Sequence, residues 1–272
     1  MKVPRLMRRL SRDASIFRDR PVLVANSFPK SGTHLLLQIL QALPNTCYFE
    51  SFVSSLSRKT LIPKSMDWHT REFGKMGPGE AVGAHLVHVP EIEAILSGMN
   101  AAHFFIYRDP RDVVVSEAMY ITYMNRWHGL HKFMKSLPDD DARIKAMIIG
   151  VSKSDARLSY PDIASRFSWY EPWINLPGVF SVKFEDLRGP QMKTTLFALV
   201  DFWKSVSHST EDTIQIVDSI IDNIKPGESH TFRSAQTGGW RTSLSEENRL
   251  LFKSMADDLL TKYDFEKDPN WC

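Results

Sequence analysis

A lysine, two hydroxyl side chains and a glycine are concentrated in one short stretch near the start of the chain. The sequence VLVANSFPKSGTHLLLQIL, from Val22 to Leu40, predicts a buried strand, a tight loop and an apolar helix that begins at Thr33. Backbone N–H groups and the dipole at a helix start attract anions, and Gly32 lets the backbone approach one closely. Lys30 adds a positive charge, while Ser31 and Thr33 add hydroxyls that can also cap the helix. The stretch therefore predicts a phosphate-binding turn.

The order of these residues differs from that of the common ATP-binding loop. That loop reads G-x-x-x-x-G-K-[ST], with its lysine after the last glycine. Here Lys30 precedes Gly32, and Asn26 or Ser27 occupies the position of the first glycine. The simpler alternative is an ordinary strand, turn and helix with a lysine on the surface.

A second candidate phosphate site follows a predicted strand in the sequence FFIYRDPRDVVVS, from Phe104 to Ser116. Arg108 leaves the strand where its guanidinium could clamp a phosphate with two hydrogen bonds. Ser116 is two helical turns further on, and Asp112 lies midway between them. Arg111 is a rival phosphate ligand. The alternative is that Arg108 only forms a structural ion pair with a neighbouring aspartate.

A third candidate is the glycine-containing loop FRSAQTGGW, from Phe232 to Trp240. It carries Arg233, Ser234 and Gly238 in a long segment between two predicted helices. Such a loop can cover a bound nucleotide, with Arg233 as a further cation. Its alternative is a glycine-rich surface loop anchored by a buried Trp240.

Together and in this order, the three motifs resemble those of the sulfotransferases that use 3′-phosphoadenosine 5′-phosphosulfate (PAPS), in a bacterial-type or cytosolic-like form. In that superfamily P-K-S-G-T holds the 5′-phosphosulfate, R-x-x-x-D-x-x-x-S holds the 3′-phosphate, and R-K-G-x-x-G-D-W covers the nucleotide. The resemblance spans 22–263. It implies in-line transfer of a sulfonyl group from PAPS to an acceptor hydroxyl, with 3′-phosphoadenosine 5′-phosphate (PAP) as product and no metal required.

The resemblance also assigns roles to individual residues. Lys30 is expected to stabilise the bridging oxygen of the donor as the sulfonyl group leaves. Ser234 replaces the usual lysine, so donor affinity depends more on Arg108 and Arg233. Phe184 lies where relatives place an aromatic side chain beside adenine, although it could be plain strand core. The full set expected to bind the donor is Lys30, Ser31, Gly32, Thr33, His34, Arg108, Ser116, Phe184, Arg233 and Ser234.

A histidine is the expected general base, because its ordinary pKa suits proton removal from an acceptor hydroxyl near neutral pH. The segment AHLVHVPE offers two candidates. His85 fits the G-H-L-P-Y-S-P-E form of many bacterial-type relatives, whereas His88 fits a shorter H-x-P form. We favour His85, with His88 as the runner-up. Glu50 or Glu80 could act instead, as glutamates do in some sugar-modifying relatives, but their spacing does not single them out.

The elements that must position these residues alternate between strands and helices. This alternation predicts an α/β fold: one domain with a central, mainly parallel sheet flanked by helices. Ligands in such folds bind at the carboxyl ends of the strands, where the motifs lie. We predict an irregular segment over 44–80 which, with 120–170, builds the acceptor pocket. We divide the chain into a basic lead-in (1–20), a sulfotransferase domain (21–265) and a tail (266–272).

Composition narrows the remaining possibilities. The chain has 272 residues and a formal net charge of +2, which gives no reason to expect nucleic acid as a partner. No apolar run is long enough to span a membrane. The basic start, MKVPRLMRRLSRDASIFRDR, is compatible with weak contact with an anionic membrane surface, although a helix packed on the domain is the simpler interpretation. The only cysteines, Cys47 and Cys272, are far apart, which favours a reducing, cytoplasmic setting.

Other partners and functions stay open at this stage. The acceptor could be a glycan, a glycolipid, or a small alcohol or phenol, and a homodimer is compatible with the resemblance. The rival functions are a nucleotide-dependent phosphotransferase of the kinase type and a catalytically inactive member that still binds nucleotide. A phosphotransferase would require a lysine after the final glycine and an aspartate for magnesium, and the first of these is missing.

Overall fold

A computed structural model of the chain describes residues 17, 19–57, 59–224 and 237–272. Most of the basic lead-in at 1–20 lies outside the described residues, and so do Arg233 and Ser234 of the third motif. Within the described ranges, no helix is both long and apolar enough to cross a membrane.

The centre of the molecule is a five-stranded sheet in which every neighbouring pair of strands is parallel. The spatial order is β2-β3-β1-β4-β5. This confirms the predicted α/β architecture with its parallel sheet. The strands are β1 (Leu23–Ser27), β2 (Cys47–Ser54), β3 (Glu80–His85), β4 (Ala102–Tyr107) and β5 (Val179–Lys183).

Helices cover both faces of the sheet. All residues of β1 and β4 are buried, as expected for central parallel strands enclosed on two sides. The helices are α1 (Thr33–Gln41), α2 (Met66–Phe73), α3 (Pro90–Gly98), α4 (Pro110–Met119), α5 (His131–Ser136), α6 (Asp140–Ile149), α7 (Ile163–Ser168), α8 (Met192–Ser207), α9 (Thr213–Asn223), α10 (Trp240–Ser243) and α11 (Glu246–Lys262). A π-helical turn (Tyr120–Met124) extends α4, and a 3₁₀ helix (Glu171–Ile174) precedes β5.

The prediction of an irregular segment over 44–80 was wrong in two respects, because this segment contains the edge strand β2 and the helix α2. The strand is interrupted between Tyr48 and Phe52, where its pairing with β3 shifts register. Glu50, at this point, has a φ of 60°, and the shift marks a bulge in the ladder. A polar residue, Ser51, also occupies an inward position and donates a hydrogen bond to Glu80.

The strand order places one crevice at the carboxyl edge of the sheet. β1 lies between β3 and β4, and the chain passes across it when it runs from β3 to β4, so the crossover connections change direction around β1. Ligands in open parallel sheets bind at such a switch point. The predicted phosphate turn, histidines and Arg108 all follow the strands that meet there.

Candidate active site

The loop between β1 and α1 presents backbone donors without a competing side chain. Lys30 and Gly32 both have positive φ angles, of 69° and 104°. Gly32 is the N-cap of α1, and a glycine has no side chain with which to cap the first turn. The expectation that Ser31 or Thr33 caps this helix is therefore wrong. The start of this nine-residue helix, without a side-chain cap from its N-cap residue, is the kind of positive helix end that binds an anion.

Gly32 cannot be replaced without cost. A Cβ at this position would lie 2.5 Å from Cδ2 of Phe184, and the φ of 104° already disfavours any other residue. We expect Gly32→Ala to cost about 2 kcal/mol of folding free energy, and so to lower Tm by roughly 5 °C. Calorimetry against Gly98→Ala, where a Cβ meets nothing within 4 Å, checks this. Equal Tm values for the two variants would contradict the close packing of Phe184 on the loop.

A chain of hydrogen bonds links this loop to His85 at the end of β3. The hydroxyl of Ser27 lies 2.6 Å from that of Thr33 and 3.0 Å from Nδ1 of His85. Nδ1 also lies 3.2 Å from the carbonyl oxygen of Ser27. A carbonyl can only accept, so Nδ1 carries the proton and Nε2 keeps a lone pair. This is the tautomer that a general base acting through Nε2 requires.

Asn26 fixes the distance between the two strand ends. Its side-chain oxygen accepts hydrogen bonds from the N–H groups of Leu86 (2.8 Å) and Ser27 (2.9 Å). Its amide nitrogen donates to the carbonyl of Leu86 at 3.3 Å. Asn26 is fully buried, so these bonds satisfy a polar side chain that burial would otherwise penalise. They hold the start of the loop beside His85.

Lys30 lies in a largely buried environment with mixed charge. Its Nζ is 3.8 Å from the ring centroid of Tyr120, in a cation–π contact. Burial lowers the pKa of Lys30 to about 8, Glu117 opposes the shift, and Arg108 adds to it. Glu117 is itself engaged by Tyr160, which donates to Oε1 at 2.5 Å, and by Arg166 at 3.2 Å. Lys30 is therefore a cation that loses its proton more easily than an exposed lysine.

Arg108 is positioned at the end of β4 by a carboxylate and an aromatic ring. Its Nη2 lies 3.3 Å from Oδ2 of Asp112, and its Cζ lies 4.6 Å from the ring centroid of Phe184. Asp112 also accepts the backbone N–H groups of Gly238 and Trp240, both at 2.9 Å. Asp112 thus connects Arg108 to the end of the third motif. Burial raises the pKa of Asp112, although Arg108 and the two N–H donors oppose the rise.

These groups open into a single cavity of about 650 Å³. One end is polar and cationic, with Lys30, Arg108 and the first turn of α1. The other end, formed by the segments 52–64 and 120–128, combines apolar and aromatic side chains with polar ones such as Ser57, Asn125 and His128. Besides Lys30 and Arg108, the residues that line the cavity include Gly32, Thr33, His34, His85, Ser116, Glu117, Tyr120, Phe184, Phe52, Leu56, Leu61, Ile121 and Tyr170.

A family model described as a sulfotransferase domain matches residues 19–264. The chain belongs to the sulfotransferase family. No curated protein sequence matches the chain at a significant level.

Solved structures of sulfotransferases share the fold. Mouse sulfotransferase SULT7A1 in complex with PAP is 16% identical, with 91% of this chain and 86% of that chain covered at a TM-score of 0.61. Retinol dehydratase with androsterone and the inactive cofactor PAP is 15% identical, with 94% and 85% covered at 0.54. Retinol dehydratase with retinol and PAP is 15% identical, with 91% and 84% covered at 0.53.

The sulfotransferase cavity gathers most, but not all, of the residues singled out from sequence. Ser31 is fully buried outside the lining, and its hydroxyl has no hydrogen-bond partner among the described residues. His88 also lies outside the lining. Its Nε2 is 3.1 Å from Glu93, and its ring packs against Trp173 at 4.7 Å. The geometry thus favours His85 over His88 as the group that meets an acceptor.

Sequence reasoning missed several residues that shape this site. Asn26 was considered only as a position in the loop motif, although a polar residue near the end of a buried strand is a usable signal. Glu117, Tyr120 and Tyr160 gave no signal, because their roles depend on contacts between distant segments. In the described part of the chain, no group of three or more histidine, cysteine, aspartate or glutamate side chains could hold a metal ion.

Proposed function

We propose that this sulfotransferase transfers the sulfonyl group of PAPS to the hydroxyl of an apolar or amphiphilic acceptor, with His85 as general base. One observation carries the proposal: Lys30, His85 and Arg108, from the loops and ends of three different strands, line one cavity. Their charges and protonation states match the separate tasks of binding an anionic donor and removing a proton.

The cationic end of the cavity fits a nucleotide with two phosphate positions. The uncapped start of α1 supplies N–H donors for one anion, and Arg108 supplies a guanidinium for another. The ring of Phe184 lies beside both Gly32 at the start of α1 and the guanidinium of Arg108. PAP accompanies the structural neighbours, which supports the same ligand here. When bound, PAPS supplies an activated sulfonyl group on a phosphate leaving group.

The protein's own residues then have distinct tasks. The Nε2 lone pair of His85 accepts the proton of the acceptor hydroxyl. Lys30, as an ammonium group, donates a hydrogen bond to the oxygen that gains charge as the sulfonyl group leaves. The apolar wall, with Phe52 packed edge-on against His85 at 4.9 Å, excludes water from the transferred group.

The lining of the second end supports an apolar acceptor. Leu56, Leu61, Ile121 and Tyr170 offer apolar surface there, beside the polar side chains of Ser57, Asn125 and His128. This mixture fits an acceptor with a polar group on an apolar body better than a bare glycan with hydroxyls on every side. The retinol and androsterone in the retinol dehydratase structures are apolar alcohols of this general kind. We therefore favour an alcohol, phenol or lipid headgroup on an apolar body.

Arg108→Ala should weaken PAP binding by about 10²-fold, because a buried guanidinium that pairs with phosphate is removed. Titration calorimetry of the parent and the variant measures this. Arg71→Ala, which removes an arginine from the surface helix α2, is the matched control and should bind like the parent. Absence of PAP binding by the parent, or equal binding by all three proteins, would contradict the proposed donor site.

Measurements of nucleotide binding and of PAP release distinguish the proposed function from the two rival functions. A phosphotransferase would bind ATP with magnesium in preference to PAP. An inactive member would bind PAPS and PAP but would not release PAP when a panel of apolar alcohols and phenols is added. The proposed enzyme binds PAP and turns over PAPS with at least one acceptor of that panel.

A further inference from the structure

Four large apolar side chains are exposed beside the mouth of the cavity. Ile62, Tyr123, Met124 and Trp127 keep 62%, 56%, 44% and 59% of their surface accessible. We call these four residues the apolar rim. Single exposed apolar residues are ordinary, but a group of large ones around a binding site indicates an interaction surface.

The apolar rim belongs to the same two segments that form the apolar end of the cavity. In the segment 120–128, Ile121, Asn125 and His128 line the cavity, and the rim residues between them are exposed. In the segment 56–64, Leu56 and Leu61 line the cavity, and the rim residue Ile62 is exposed. The two segments touch, because Gly129 packs directly on the carbonyl of Lys59, where a Cβ would collide. A surface that contacts the rim therefore adjoins the acceptor end of the cavity.

Positive charge surrounds the rim. Nζ of Lys59 and Cζ of Arg126 lie 6.0 Å and 5.0 Å from the ring centroid of the rim tryptophan. Nζ of Lys135 lies 5.2 Å from the ring centroid of the rim tyrosine. The rim tyrosine also donates to Asp140 at 2.7 Å, but Asp140 is paired with Arg143 at 2.6 Å. Asp139 and Asp141 flank Asp140 at the start of α6, so Lys59, Arg126, Lys135 and Arg143 leave only a small excess of positive charge at the rim.

We propose that the apolar rim docks on an anionic lipid surface, from which the acceptor hydroxyl enters the cavity. Aromatic side chains with a polar edge partition into the interface of a bilayer, and nearby lysine and arginine side chains bind its anionic headgroups. The acceptor then belongs to an amphiphile whose headgroup reaches His85 while its body stays in the lipid. This part of the inference rests on the proposed function, whereas the docking itself does not.

Sedimentation with lipid vesicles tests the docking. The full chain is mixed with phosphatidylcholine vesicles with or without phosphatidylglycerol, in the absence of donor. We expect binding that requires phosphatidylglycerol and weakens with salt. Trp127→Glu should weaken it at least tenfold, because it removes an interfacial ring and adds a negative charge. Ile214→Glu introduces the same charge at an exposed apolar position on α9 and should have no such effect.

Each alternative outcome overturns the docking proposal. No binding by the parent chain would do so directly. Equal binding by the parent and Trp127→Glu would assign the membrane affinity to another region, such as the basic start of the chain. A chain that dimerises, binds no vesicles and becomes monomeric in Trp127→Glu would make the rim an interface between two copies.

PAP titration of the same proteins separates this inference from the proposed function. Trp127 does not line the cavity, so Trp127→Glu should bind PAP like the parent. Vesicle binding without PAP binding would support the docking surface and contradict both the donor site and the lipid acceptor. PAP binding without vesicle binding would support the donor site and overturn the docking.

Discussion

Replacing Lys30 by alanine is expected to lower kcat by about 10³-fold, in the range observed when a preorganised donor to a developing oxyanion is removed. The buried position of Lys30 is the reason for the size of this effect. Its ammonium group lies over Tyr120 in a cavity, so its interaction with a charge that develops nearby is screened less than it would be in bulk water. PAP affinity should fall less than kcat, because the backbone donors of the loop and Arg108 remain.

The pH dependence separates this role from a purely structural one. Lys30 must be protonated to donate, and its pKa is about 8 in the protein without donor. The value of kcat/KM should therefore fall as the pH rises through about 8. Lys30→Arg keeps its proton at all accessible pH values and should remove this alkaline limb, at a lower overall rate. An alkaline limb that is unchanged in Lys30→Arg would contradict the assignment.

Two matched measurements complete this test. Lys193→Ala removes a lysine that is exposed on α8 and paired with Asp218, and it should leave kcat and the pH profile unchanged. Binding of the anionic donor should raise the pKa of Lys30, since opposite charge favours the protonated form. The alkaline limb of kcat, which reports the complex, should then lie above that of kcat/KM.

Much of this architecture could be predicted because it depends on local patterns. Buried runs such as Leu23–Ser27 and Ala102–Tyr107 identify the central strands without tertiary information. Because parallel strands end at one edge of a sheet, the convergence of Lys30, His85 and Arg108 also follows from their positions in sequence.

The parts that were not predicted depend on contacts between distant segments. The β2 strand was missed because the types of its residues do not follow its buried and exposed positions: Ser51 is buried, whereas Phe52 is 46% exposed. The contact between Lys30 and Tyr120 depends on a π-helical turn, which no local pattern indicated. The choice between His85 and His88 required the observation that only His85 lines the cavity.

Replacing His85 by glutamine is expected to lower kcat by about 10²- to 10⁴-fold, the contribution typical of a positioned general base. Glutamine is close to histidine in size and can keep a hydrogen bond to Ser27, so the loop should stay in place. PAP affinity should therefore change little. His88→Gln is the matched control: it is three residues away, pairs with Glu93 outside the cavity, and should retain most of its activity. Equal losses in both variants would contradict a specific role for His85.

Acceptors of different acidity distinguish a general-base role of His85 from a purely structural role. Burial lowers the pKa of His85 to about 4, and the charges of Lys30 and His34 add to this effect. His85 is therefore neutral at pH 7 and becomes inactive only as the pH falls through its pKa, which the bound anionic donor should raise. If Nε2 removes a proton, a phenol that ionises readily should depend on it less than an aliphatic alcohol does. His85→Gln should thus impair transfer to the alcohol far more than transfer to an acidic phenol, whereas a structural defect would impair both equally.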